Sequence, residues 1–263
     1  MEVHHHPHSE NLPAGQAGKR FKEYFLEFIM IFLAVTMGFF AETIRENVTE
    51  HRRAKEFAES MVQDLREDTA QLRSYREYFD FAASATDTLQ QLLATTEPGD
   101  IPSGKLYWYG LFGGAHRYFV PNDQTFQQMK SSGSLRYFKK KVASEVAKYD
   151  RLCRIIQTNQ VLDGNIYTEV RKLRAQLFEF KYNDIANTIY QANKKSFDYN
   201  RVDSFTRSGP PLLSNNKILF NQYIELVRSR FLRRSIVAYA DSTLNQADSL
   251  IRELKEEYHL KDE

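Results

Sequence analysis

Between Tyr24 and Ile44 the chain reads YFLEFIMIFLAVTMGFFAETI, and from Phe28 to Ala41 it carries no charge. Within that run Thr36 is the only polar side chain. Such a run has to be taken out of water by lipid or by protein, because each exposed Å² of apolar surface costs about 25 cal/mol. The uncharged part alone is shorter than the roughly 20 residues that cross a bilayer core. Tyr24, Phe25 and Leu26 extend it to a full span. Glu27 and Glu42 then fall at the two membrane interfaces, where a carboxylate reaches water or headgroups at far lower cost than at the centre. Phe39 and Phe40 are placed to pack near the second interface.

Three other readings of this stretch compete. A buried core helix fits the shortness of the run, but the run is apolar all round whereas later segments are one-sided. A cleaved signal peptide would use Lys19, Arg20 and Lys22 as its basic region, but Phe39-Phe40-Ala41 puts a large ring where a small residue is wanted. An interfacial helix needs a polar face, and none is present. An uncleaved membrane-spanning helix over 19–45, with the lipid bilayer as partner, is the expectation. Residues 1–18 are polar and aperiodic and read as a disordered tail. His4, His5, His6 and His8 of that tail have imidazoles that bind metals, but no preorganised surroundings, so no metal site is expected. Lys19, Arg20 and Lys22 precede the span and Arg45, Arg52, Arg53 and Lys55 follow it, so counting basic residues does not settle orientation. The closeness of the first group favours a cytoplasmic N-terminal side.

The segment KRFKEYFLEFIMIFLAVTMGFFAETIRE, together with TFQQMKSSGSLRYF further on, resembles a family of uncharacterised single-pass membrane proteins of Bacteroidota. The shared features are a basic aromatic opening, a short span with an early Glu, a charged helical stalk and a K-S-S-G-x-L core, here Lys130 to Leu135. The resemblance covers the first 65 or so residues best and 124–150 less well. It implies an inner-membrane protein with its bulk in the periplasm, and it implies no activity.

Beyond the span the sequence is punctuated sparsely, with only 11 Gly and 7 Pro in 263 residues, which favours long helices. No Gly or Pro falls between Thr43 and Leu93. Phe57, Met61, Leu65, Leu72, Tyr75, Phe79, Ala82, Leu89 and Leu93 recur at helical spacing, interrupted at Asp68. Asp64, Glu67 and Asp68 read as solvated helix surface. Long helices are expected over about 46–94, 135–178 and 215–259, with a short one over 183–192, a kink or a break at Gly164 and a loop over 196–214. Asn122-Asp123 can cap a helix that Ser132-Gly133 ends. The fold class is therefore all-α: one transmembrane helix continuing into an antiparallel helical bundle over 46–263.

Function is less legible. With 36 basic and 34 acidic side chains, the net charge of +2 gives no basic excess for nucleic acid. Phosphate-binding glycine loops, C-x-x-C, H-E-x-x-H and G-x-S-x-G are all missing, and no catalytic, cofactor or metal residues are expected. Cys153 has no neighbouring base in sequence and reads as a small buried hydrophobe. The stretch KLYWYGLFGGAHRYFVP (105–121) is the one unusual feature. It reads either as rings plugging one end of a bundle or as a pocket with Trp108 stacking on a ligand and His116 and Arg117 as polar contacts. Two functions follow. One is a membrane-anchored interaction or scaffold protein with a protein partner or a second copy of itself. The alternative is an extracytoplasmic sensor or ligand-binding module using 105–121.

Overall fold

A computed structural model describes residues 14–114, 116–193, 198–231 and 234–261. The four tail histidines lie outside these residues. Eight α-helices and no strand occur among the described residues. The all-α expectation holds, and the helices form a bundle. The chain divides into two units, Met1–Lys55 and Glu56–Glu263.

The first unit is carried by the N-terminal part of α1 (Ala14–Thr95), which begins inside the stretch read as tail. This helix is long and apolar enough to cross a membrane, and its most apolar 18-residue window has no buried residue. A core helix would be covered by protein, and this one is not. The Thr36 hydroxyl donates to the Phe32 carbonyl at 2.7 Å, so the only polar side chain of the run returns its bond to the helix. At the far end Arg45 pairs with Glu42 at 2.6 Å.

In the second unit, Met61, Leu65, Leu72, Tyr75, Phe79, Ala82, Leu89 and Leu93 of α1 are buried along one face, as the periodicity predicts, while Phe57, expected to start that line, is half-buried. That face meets α4 (Lys140–Leu177) and α8 (Arg234–Tyr258). Arg76 pairs with Asp241 and Arg73 with Asp248, so α8 runs antiparallel to α1. Lys139, Lys141 and Glu145 meet Glu257, Glu253 and Gln246, so α8 is antiparallel to α4 as well. Asp68 meets Tyr149, and Tyr75 meets Gln160 farther along, so α1 and α4 run in the same sense. The long return through residues 96–139 makes that parallel pairing possible.

The return holds α2 (Ser103–Gly110) and α3 (Gln124–Ser132). Asp68 is not surface: it is fully buried. Its Oδ1 accepts the Asn122 N–H at 2.7 Å and its Oδ2 the Tyr149 hydroxyl at 2.6 Å. Asp64 accepts the Thr125 N–H at 3.2 Å. The expected cap from Asn122-Asp123 is thus supplied instead by Asp64 of α1, as Asp123 makes no side-chain cap bond. Negative charge at this N-terminus also suits the helix dipole.

Gly133 ends α3 at φ +70°, a left-handed conformation that favours glycine. A 3-10 turn (Ser134–Tyr137) and an extended Phe138 follow, so α4 begins at Lys140 rather than near Leu135. Lys130 to Leu135 is therefore a corner. Helix α4 runs through Gly164 without interruption. Helix α5 (Phe180–Asn193) covers the expected short helix. The stretch read as a loop contains α6 (Tyr199–Arg207), whose Asp198 side chain accepts the Arg201 N–H. Its single buried ring, Phe205, gave no periodicity to detect; Tyr199 is exposed and Phe197 lies outside the described residues. The last expected helix is described as α7 (Lys217–Phe231) and α8, and its first apolar position, Ile218, is exposed.

Candidate ligand-binding cavity

The aromatic stretch divides in two. Its first half forms α2, and there Leu106, Tyr107 and Trp108 are buried. Tyr107 anchors the helix: its hydroxyl donates to the Pro211 carbonyl at 2.7 Å and accepts the Glu179 N–H at 2.9 Å. Its ring meets Phe178 edge-on at 5.1 Å. Trp108 is packed into the interior and does not line the cavity described below.

The second half carries His116 and Arg117 to a different place. The connection is pinned by α7. Tyr223 donates to the Gly110 carbonyl, and Arg230 donates through Nη1 to the Gly113 carbonyl. The approach is so close that a Cβ at Gly113 would lie 2.4 Å from the Tyr223 hydroxyl, which explains a glycine there. Arg230 is fully buried and grips Asp163 of α4 with both ends of its fork, Nε to Oδ1 and Nη2 to Oδ2, each at 2.8 Å. His116 places Nδ1 2.9 Å from Asp163 Oδ2. The Tyr167 ring packs against both groups, 5.0 Å from the Arg230 guanidinium and 5.2 Å from the imidazole. Burial alone would raise the Asp163 carboxyl, but the Arg230 guanidinium and His116 hold it below the usual carboxylate value. It stays ionised, with its charge compensated inside the fold.

Of this cluster, His116 lines a cavity of about 600 Å³ within the second unit. Tyr78 of α1, His116 and Arg117, the C-terminal turns of α4 and one face of α5 surround it. The volume is in the range of small-molecule sites, roughly 300–1,000 Å³. Among the described residues four buried side-chain polar atoms have no hydrogen-bond partner: Tyr78 Oη, His116 Nε2, Arg174 Nε and Asn183 Oδ1. All four residues line this cavity. An unsatisfied buried polar group costs about 1–3 kcal/mol, so a fold does not gather four around one space without reason. Burial raises the Tyr78 hydroxyl well above its ordinary value, so it remains neutral.

A second cavity, of about 170 Å³, lies beside α3 and is lined by Asp64, Tyr149 and Cys153 among others. No orphaned atom faces it. Burial pushes the Cys153 thiol up to about 12, so it is an inert hydrophobe there.

Of the sequence candidates, His116 and Arg117 are brought together and Trp108 is not. Glu27 and Glu42 lie on the exposed N-terminal part of α1. Sequence reasoning missed Tyr78, Asp163, Arg174, Asn183 and Arg230. A signal existed for Asp163, which falls between Ile156 and Val170 on the buried face of α4. A charge on an apolar seam marks either a partner or a site. Among the described residues no group of three His, Cys, Asp or Glu side chains is placed to hold a metal ion. Comparison with known proteins found no matching family model, no matching curated protein and no matching solved structure.

Proposed function

We propose that this chain is a membrane-anchored ligand-binding protein. The apolar part of α1 fixes it in the membrane, and the helical domain takes up a small polar molecule in the cavity beside His116. The observation that carries this reading is that the four residues with an unpartnered buried side-chain polar atom among the described residues all line one cavity of small-molecule size. The resemblance to Bacteroidota single-pass proteins supports an inner-membrane location with the domain in the periplasm. Thermal unfolding of the detergent-solubilised full chain against a panel of small polar metabolites tests the binding. A saturable rise in midpoint that Arg174→Ala or Asn183→Leu reduces is the expected result; a rise that neither change affects places binding elsewhere. Alkaline carbonate extraction tests the anchor, and release of the intact chain would refute it.

The scaffold reading keeps one supporting observation. Tyr118 and Val120 are exposed on either side of Phe119, whose carbonyl accepts a bond from Gln160, and the next residues of α4, Val161 and Leu162, are exposed too. Such an apolar patch suits a protein partner or a second copy. Crosslinking in membranes, with and without Val161→Asp, tests it.

A further inference from the structure

We infer that the cavity selects a hydroxylated organic anion, a small molecule bearing a phosphate or carboxylate together with at least one hydroxyl group. The inference rests on the cavity's being a ligand site, and it names the class of ligand.

The charge comes first. Arg117, Arg171 and Arg174 line the cavity, against a single carboxylate, Asp184. Among the described residues none of the three arginines is paired with a carboxylate. Arg117 donates to the Ser74 hydroxyl at 2.9 Å and lies over the Tyr78 ring. Arg171 lies over the Tyr167 ring. Arg174 keeps its Nε–H buried with no acceptor. Elsewhere on this protein arginines find carboxylates readily, as Arg76, Arg154, Arg207 and Arg230 do. Three arginines without a carboxylate partner around one concavity attract an anion, and the planar guanidinium fork suits carboxylate and phosphate oxygens.

The hydroxyl follows from the other two orphans. Asp163 Oδ2 lies against His116 Nδ1, and an ionised carboxylate can only accept, so Nδ1 carries the proton. Nε2 has no partner within the fold, and as the ring's acceptor it calls for a donor. Asn183 is likewise short of a partner at its side-chain oxygen. Tyr78 can serve either need. An anion without donors would satisfy Arg174 and leave His116 and Asn183 orphaned. A neutral polyol would satisfy those two and leave the arginines uncompensated. One molecule with both groups satisfies all four. Asp163 and Arg230 act as positioning residues, fixing the imidazole without touching the ligand themselves.

The same chemistry occurs in free metabolites and in the headgroup of an anionic glycerophospholipid, and a titration separates them. The full chain in phospholipid-free detergent is titrated calorimetrically with glycerol 3-phosphate, glucuronate, inorganic phosphate, glycerol, glucose and spermidine. In parallel, the chain in nanodiscs of pure phosphatidylcholine is compared with nanodiscs containing phosphatidylglycerol. At least one hydroxylated anion, free or as the lipid headgroup, is expected to bind saturably. Arg174→Gln is expected to weaken that binding at least about tenfold, the worth of one charge-assisted hydrogen bond. Arg171→Gln, at an exposed position of α4, gives a smaller loss without risk to the fold. Asn183→Leu is expected to weaken the hydroxylated anion while sparing inorganic phosphate. Saturable binding of glycerol, glucose or spermidine that is unchanged in both arginine variants but weakened by Asn183→Leu would overturn the anion assignment and leave the cavity a ligand site. No binding by any probe in either membrane mimic would overturn both.

Discussion

Two buried aspartates, Asp68 and Asp163, sit in the same bundle and have opposite surroundings. Asp68 is fully enclosed and met only by neutral donors, the Tyr149 hydroxyl and the Asn122 N–H. Each of its oxygens is used, and the cavity next to it is small and free of orphaned atoms. Asp163 is met by Arg230 and His116, and the imidazole it holds keeps an unpartnered Nε2 and lines a cavity of about 600 Å³. One carboxylate closes a structural joint between α1, α3 and α4. The other orients a group whose remaining valence is left for something outside the chain. What separates structure from function is therefore not the presence of a buried charge but whether the polar atoms around it are all satisfied within the fold.

The strongest way to break this contrast is at Arg230. Removing it as Arg230→Met leaves Asp163 as an uncompensated buried charge and is expected to cost about 3–5 kcal/mol. Urea unfolding of the detergent-solubilised chain, followed by the fluorescence of Trp108, measures this; the tryptophan is single and buried. The double variant Asp163→Leu with Arg230→Met should recover much of the loss, because the penalty belongs to the stranded charge.

The aspartates themselves sharpen it next. Asp68→Asn should be tolerated, since its amide can donate to Tyr149 while its oxygen keeps the Asn122 N–H. Asp163→Asn should be costly, because it strands a buried guanidinium. Their pH profiles should run in opposite directions. Burial raises the Asp68 carboxyl, with Tyr149 and Asn122 opposing, so its contribution is full below the unfolded value and is lost as pH rises through the folded one. Asp163 is held low, so its contribution is present above the unfolded value and is lost as pH falls through the folded one. As pH rises from about 3 to about 7, Asp68→Asn should gain on the native chain and Asp163→Asn should fall further behind. Parallel profiles would mean that the two carboxylates share one kind of environment.

A middle-sized effect is expected at Gly113→Ala. The new Cβ would press on Tyr223 and Val227 and displace the carbonyl that Arg230 holds, costing about 1–3 kcal/mol by unfolding.

The helix long and apolar enough to cross a membrane was legible, because composition and length alone carry it. So was the core line of α1 from Met61 to Leu93, where spacing alone decides which face is covered. Asp68 was misread because nothing local shows that the start of α3 docks over it from more than fifty residues away. Helix α6 escaped because one buried ring makes no pattern. The cavity was the least legible part. Tyr78, His116, Arg174 and Asn183 stand on four separate stretches of chain, and only folding brings them together. Within 105–121 the tryptophan drew attention as the largest ring, yet large rings are what a core consumes first, and the smaller His116 beside it reached the cavity.

The smallest effect bears most directly on the central claim. If Tyr78 and Asn183 are polar for a ligand's sake, they weigh on the empty protein. The double variant Tyr78→Phe with Asn183→Leu should then be more stable than the native chain in the absence of ligand, by about 1–2 kcal/mol in urea unfolding. A loss of stability of similar size would show that these groups find partners within the fold and that the cavity is not a preformed binding site.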